Sequence, residues 1–227
     1  MNSLPRAPLP YSPDLQEIYA SRFKGKSAYR RKVWRELCSF FRTWIPENAA
    51  VLDLGCGHCE FINTVQCGRK FGIDLNPDAG KLASKDVTVF QQDCSVKWEL
   101  EPGTLDVVFT SNFLEHLPTQ DALDRTLRQA HFALAPHGRF IAIGPNIKYL
   151  QGAYWDFSDH YLPLTEVSLV EVLTKCGFAI ELSRDRFLPY TMSDGKKYPI
   201  WMLRAYLNFS IAWRVFGKQF LVVASKR

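Results

Sequence analysis

The stretch Val51-Leu52-Asp53-Leu54-Gly55-Cys56-Gly57-His58-Cys59-Glu60-Phe61 decides how this chain folds. Ala50 to Leu54 is a short apolar run of the kind that forms a buried parallel strand. Gly55 and Gly57 then permit a tight turn and let the backbone approach a ligand with no Cβ in the way. A helix starting near Cys59 or Glu60 would aim its unbonded N–H groups at whatever lies over the glycines. Strand, glycine turn and helix together describe a nucleotide-type site.

The pattern narrows the nucleotide. A dinucleotide fingerprint needs G-x-G-x-x-G, and Glu60 stands at its sixth position. A phosphate-binding P-loop needs Gly-Lys-Ser/Thr, and none follows. Asp53 precedes the first glycine by two residues, and a second acid ends the next apolar run at Phe71-Gly-Ile-Asp74. Acids beside the glycines repel pyrophosphate and suit a cation carrying an ammonium and a sulfonium. Here the sequence resembles the class I S-adenosyl-L-methionine (SAM)-dependent methyltransferases. It shares their V-L-D-x-G-x-G-x-G signature over Val51 to Cys59, their acidic end to strand two at Asp74, and their acid after strand three at Asp93. The resemblance covers roughly residues 49–227, with Cys59 in place of the usual third glycine.

It implies a Rossmann-like, doubly wound α/β fold: seven strands, mostly parallel, the last antiparallel. Residues 1–48 form an N-terminal arm and cap helices, and 49–227 the methyltransferase domain, within one compact unit. It implies SAM as donor and S-adenosylhomocysteine (SAH) as product, bound by Asp53, Gly55, Cys56, Gly57, Asp74, Leu75, Asp93, Cys94 and Asn112. Asp74 would take the ribose hydroxyls with its carboxylate. Asp93 would meet the adenine amino group, and Cys94 would offer its N–H to the ring.

Composition is consistent with a single globular domain: 227 residues, 47% of them hydrophobic. No signal-type apolar run opens the chain, and no stretch of about 18 uncharged apolar residues predicts a spanning helix. Six scattered cysteines lack a disulfide-rich pattern and point to free thiols in the cytosol. The net charge of +5 is uneven. Residues 22–42 carry eight Lys/Arg against Glu36 alone, and 196–227 carry seven with no acid. Such segments are either solvated faces or a basic rim that attracts an anionic acceptor or membrane surface.

Along the chain, residues 1–13 hold four prolines and read as an extended arm, followed by a short helix over 14–19. A longer helix over 28–44 aligns Tyr29, Val33, Leu37, Phe40, Phe41 and Trp44. By resemblance these helices cap the cofactor, with Tyr19, Arg22 and Arg30 as candidates for a carboxylate or an anionic acceptor. Strands are expected at 50–54, 69–73, 87–91, 105–110, 139–143, 178–187 and 218–225.

The turn after strand four carries Ser111-Asn-Phe-Leu-Glu-His116. It lacks the (Asp/Asn)-Pro-Pro-aromatic tetrad of amino-methylating DNA enzymes, no Pro-Cys occurs anywhere, and nucleic acid is not an expected partner. Asn112-x-x-Glu115-His116 resembles the Glu-x-x-Glu-His metal loop of some O-methyltransferases, but Asn112 replaces its first carboxylate, which weakens a hard-cation site. Cys56-x-x-Cys59 lies inside the glycine turn with no second such pair. No metal is therefore expected. His116 and His160, with Asp159 as orienting carboxylate, are the candidate catalytic residues. The long loop 144–163 is aromatic, and Tyr149, Tyr154, Trp155 and Tyr161 are candidates to line the substrate pocket. The alternative is that its aromatics pack the loop onto the sheet.

About thirty residues separate strands six and seven, where a tight hairpin is usual. Read as one inserted helix, residues 198–216 place Arg204, Asn208, Arg214 and Lys218 on one arc. A lid, a peripheral membrane contact and a dimer contact all fit it, so monomer and homodimer stay open. The expected reaction is methyl transfer from SAM to O or N of a small acceptor. Tyr154-Trp-Asp-Phe-x-Asp-His160 and Arg186-Phe-Leu-Pro-Tyr-Thr191 look like bacterial methyltransferases of sugar-linked pathways, which favours a nucleotide-linked or lipid-linked sugar. The alternatives are an aromatic or polyketide-type acceptor and a non-catalytic SAM-binding scaffold.

Overall fold

A computed structural model describes residues 27–190 and 197–227. The arm over 1–13, the helix over 14–19, Tyr19 and Arg22 therefore lie outside the described residues. Five strands run parallel: β1 (Ala50–Leu54), β2 (Arg69–Asp74), β3 (Val87–Gln91), β4 (Leu105–Ser111) and β5 (Leu134–Pro145). Strand β7 (Gln219–Lys226) pairs antiparallel with both β5 and β6 (Phe178–Arg184), giving the order β3-β2-β1-β4-β5-β7-β6. This is the expected mostly parallel sheet with its antiparallel last strand.

Every residue of β1 is buried, as a central parallel strand requires. The pleat sends alternate residues to opposite faces, so two cores form. On one face Leu52, Leu54, Val108 and Phe140 pack with α4 (Gln120–Ala133) and α6 (Glu166–Lys175). On the other, Val51, Val107, Phe109 and Ile141 pack with α1 (Ser27–Phe41) and α2 (Glu60–Thr64). There Phe61 stacks on Phe109 at 3.7 Å between centroids, and Trp34 meets both edge-on. Thr165 caps α6 reciprocally with Ser168, and Gly177 follows it at φ 95°.

Several bounds differ from expectation: α1 ends at Phe41 rather than 44, and β6 at Arg184 rather than 187. The fifth strand starts at Leu134 rather than Arg139: extended backbone takes over directly from α4, and the Pro136–Gly138 turn is a bulge within it, with His137 at φ 64°. The insertion before β7 is helical but not one helix. It forms α7 (Ile200–Asn208) and α8 (Ser210–Phe216), broken at Phe209 (φ −120°, ψ 83°). The Trp213 indole N–H then donates to the Tyr206 carbonyl at 2.8 Å and folds α8 back on α7. The single cationic arc is thereby lost: Arg204 pairs with Glu36 on α1, while Arg214 accepts at its carbonyl from Arg186. Among the described residues, no helix is long and apolar enough to cross a membrane.

Candidate active site

The carboxyl ends of β1 to β4 meet at one edge of the sheet, where open α/β folds hold ligands. After β1 the backbone takes positive φ three times, at Gly55 (74°), Gly57 (47°) and Cys59 (58°). Gly55 and Cys56 donate their N–H groups to the Ile73 carbonyl at 2.9 and 3.2 Å, tying the turn to β2. The two glycines serve different ends. A Cβ on Gly55 would stand 2.1 Å from the Phe113 ring, whereas one on Gly57 would meet nothing within 4 Å. Gly55 is thus required by the protein's own packing, and Gly57 presents the open side of the turn. Cys59 adopts the left-handed backbone that a third glycine would take, and its fully buried thiol reaches the Ala79 carbonyl at 3.4 Å. The departure from the signature leaves the turn geometry in place.

Asp74 clamps this turn. Its Oδ2 accepts from the Gly57 N–H at 2.6 Å and its Oδ1 from the Asn76 N–H at 2.8 Å. Burial pushes its carboxyl up, against the downward pull of those two donors. Burial, and then Asp74 itself, raise Asp53 to about 8, with an Ile62 N–H opposing. Leu75 is exposed beside Asp74. Asp93 Oδ1 accepts from the Ser95 N–H at 2.8 Å, and Cys94 is buried with its carbonyl held by the Trp98 indole. Asn112 has φ 50°; its N–H donates to Ile143 at 2.9 Å, and its buried Oδ1 lacks a partner among the described residues. Arg30 is half-buried in a bidentate pair with Glu60, Nε lying 2.7 Å from both carboxylate oxygens.

A second cluster stands beside this turn. A 3₁₀ turn over Leu114–His116 follows β4, and the Glu115 carbonyl accepts from the Tyr161 and Leu162 N–H groups at 2.9 and 3.1 Å. That pairing lays the aromatic loop over the end of β4 and brings distant residues together. His116 Nδ1 lies 2.7 Å from the Asp159 carbonyl and 3.4 Å from its Oδ2. His160 Nδ1 lies 2.8 Å from the Tyr154 carbonyl, and the two imidazole centroids are 5.0 Å apart. Glu115 is buried, with Oε1 4.0 Å from His116 Nε2, and burial raises its carboxyl to about 7.

The methyltransferase domain family matches residues 27–183. The chain belongs to this family. The methyltransferase uses SAM as its methyl donor. Its fold is shared by a SAM-dependent methyltransferase from Thermotoga maritima (TM-score 0.67, 14% identity, 94% of this chain and 99% of that one covered). It is shared by a chain of the complex between the Haloferax volcanii Trm112 methyltransferase activator and a methyltransferase (TM-score 0.66, 17% identity, 92% and 97% covered). An Archaeoglobus fulgidus SAM-dependent methyltransferase gives 0.63 at 20% identity, with 93% and 99% covered. No curated protein matches the sequence.

The methyltransferase fits its donor in charge and shape. Asp74 and Glu60 make the potential around the turn negative, and Asp53 beside them would ionise where an ammonium and a sulfonium compensate it. Gly57 leaves room for backbone approach, and Asn112 offers an acceptor oxygen at the end of β4. The cofactor candidates read from the sequence therefore gather along one edge of the sheet, at the ends of four strands.

The pocket candidates divide. Tyr154 is fully buried, its hydroxyl held by the Leu162 carbonyl, and it props up His160. Trp155 and Tyr161 are half exposed, and Tyr149 bonds Asp185 under the Arg186 guanidinium. Glu115 is the addition the structure makes to the catalytic candidates. Its signal in the sequence was its place next to His116, but nothing local pairs it with His160. A groove of about 780 Å³ runs along α1, lined by Arg31, Arg35 and Arg42, and shares His58 and Glu60 with the glycine turn.

Proposed function

We propose that this methyltransferase transfers the methyl group to an oxygen or nitrogen of a small anionic acceptor, a nucleotide-linked or lipid-linked sugar. The observation that carries the reading is the group of buried Glu115, Asp159 and His160 with the partly buried His116, set beside the SAM edge at the end of β4. SAM supplies a methyl already activated on a sulfonium, so the chain has only to bind, orient and exclude water. Asp53 and Asp74 hold the donor. The loop over 151–163 covers the acceptor, and with Nδ1–H of His160 donated to Tyr154, Nε2 is the basic nitrogen that faces a proton to be removed. Asp159 orients His116 through its carbonyl and its carboxylate.

The arginine-lined groove of α1 supports an anionic acceptor, since its arginines outnumber its one acid, Glu60, and a net positive wall raises the local concentration of anions. Support for a lipid-linked form comes from α7 and α8, where Trp201, Phe209, Ile211, Val215 and Phe216 are exposed beside Arg214 and Lys218. The test is a turnover assay with nucleotide sugars, polyprenyl-phosphate sugars in vesicles, and uncharged phenols. Turnover with a sugar phosphate, falling about 100-fold or more in His160→Ala while SAH affinity holds, is the expected result. Turnover confined to phenols would replace the acceptor class. Full activity in the variant would remove His160 from the chemistry.

A further inference from the structure

Glu115, His116 and His160 each offer one ligand atom within 4.8 Å of the other two. They come from two separate pieces of chain. Glu115 and His116 sit on the turn after β4, and His160 arrives on the loop pinned to the Glu115 carbonyl by Tyr161 and Leu162. We propose that this group binds a divalent first-row transition-metal ion through two imidazole nitrogens and the Glu115 carboxylate.

Four features point the same way. Both imidazoles give Nδ1 to a backbone carbonyl, His116 to Asp159 at 2.7 Å and His160 to Tyr154 at 2.8 Å. Ligating histidines are held in this way, which fixes the tautomer and makes Nε2 the metal-binding atom. Glu115 is 1% exposed, and its Oε2 has no hydrogen-bond partner among the described residues. A buried carboxylate oxygen without a donor is costly unless a cation takes that place. The donor set is also chemically selective: two nitrogens and one oxygen suit Zn²⁺, Fe²⁺ or Co²⁺, whereas Mg²⁺ and Ca²⁺ prefer oxygen throughout. Finally, the geometry is close. Ligand atoms on a tetrahedral ion with bonds of about 2.0–2.1 Å lie about 3.3 Å apart, so side-chain shifts of about 1 Å complete the site.

This inference deepens the methyl transfer proposed above, rests on it for its role, and assigns His160 Nε2 to the ion in place of proton removal. Three protein ligands leave a coordination position open to an acceptor hydroxyl. The hydroxyl would release its proton to water under the pull of the cation. Its oxygen would then form the O–CH3 bond as the S–CH3 bond breaks, with the electron pair staying on the sulfur of SAH.

The test uses the full chain stripped with chelator and titrated with Co²⁺ by visible spectroscopy and with Zn²⁺ by calorimetry. One ion per chain is expected, with affinity falling at least tenfold in both Glu115→Gln and His160→Ala while SAH affinity stays within twofold. Retained SAH binding reports that the variants fold. Failure of the native chain to bind either ion would overturn the site, as would binding that both variants leave unchanged. The ion titrations need no SAM, so loss of SAH binding with intact Co²⁺ binding would sink the methyl-transfer reading and uphold this one.

Discussion

Asp53 shows how one residue's environment becomes a measurable property of the site. It lies in the fully buried β1, and burial with the neighbouring Asp74 raises its carboxyl to about 8. Near neutral pH the ligand-free protein therefore keeps this group protonated. With Asp53 in the proposed SAM site, the ammonium and sulfonium would favour its ionised form, so binding is expected to release a proton at pH 7. The sign follows: SAM affinity increases as pH rises towards 8 and levels off above it. Calorimetry at pH 7 in buffers of different ionisation enthalpy should show proton release on binding, and proton uptake or none would contradict the assignment. The placement of Asp53 and Asp74 at the ends of their strands was legible because the signature fixes it by spacing along single strands. Cys59 was half legible. Its identity departs from the signature, but only the backbone shows that it takes the glycine conformation and turns its thiol inward. Glu115 and His160 were each visible in the sequence, yet their meeting depends on how a long loop folds back, which no local pattern encodes.

Among elements, the insertion before β7 is the most informative. Its apolar spacing reads as one continuous helix, since nothing in Asn208-Phe209-Ser210 is a strong helix breaker. Asn208 and Ser210 nonetheless have side chains that compete for backbone groups. Asn208 takes the Arg204 carbonyl, and tertiary contacts fold the second half back. The anchor is Phe187, fully buried where α1, α8 and the start of β7 meet. It stacks on Phe40 at 5.3 Å and meets Trp213 edge-on at 5.0 Å, and its N–H donates to the Gln219 carbonyl. Phe187→Ala should cost about 3–5 kcal/mol in denaturant unfolding, and Phe187→Leu distinctly less. A loss below about 1 kcal/mol would mean that the helices do not depend on this ring for their seat. The central strands were legible because buried parallel strands are nearly continuous apolar runs, as β1 and most of β4 are. Boundaries slipped where proline and glycine served as a bulge instead of a stop, as at Pro136–Gly138.

At the scale of the whole molecule, the sheet order brings the ends of β1, β2, β3 and β4 to one edge, and every cofactor candidate falls there. Charge is arranged around that edge in two signs. Acids cluster at the glycine turn where a cationic donor fits, and arginines line the groove of α1 where an anion fits. The central claim is that the turn and Asp74 form the SAM site. It is tested most directly by calorimetric titration of SAH into the native chain, Asp74→Ala and Asp74→Asn. Asp74 is expected to bond the ribose while holding the Gly57 and Asn76 N–H groups at 2.6 and 2.8 Å. Each hydrogen bond to a charged group contributes about 1.5–3 kcal/mol, so Asp74→Ala should weaken SAH binding by about 10-fold to 100-fold or more. Asp74→Asn, which keeps one acceptor oxygen, should fall between the two. Micromolar binding by the native chain with that graded loss is the result this account predicts; equal affinity in all three proteins would contradict it.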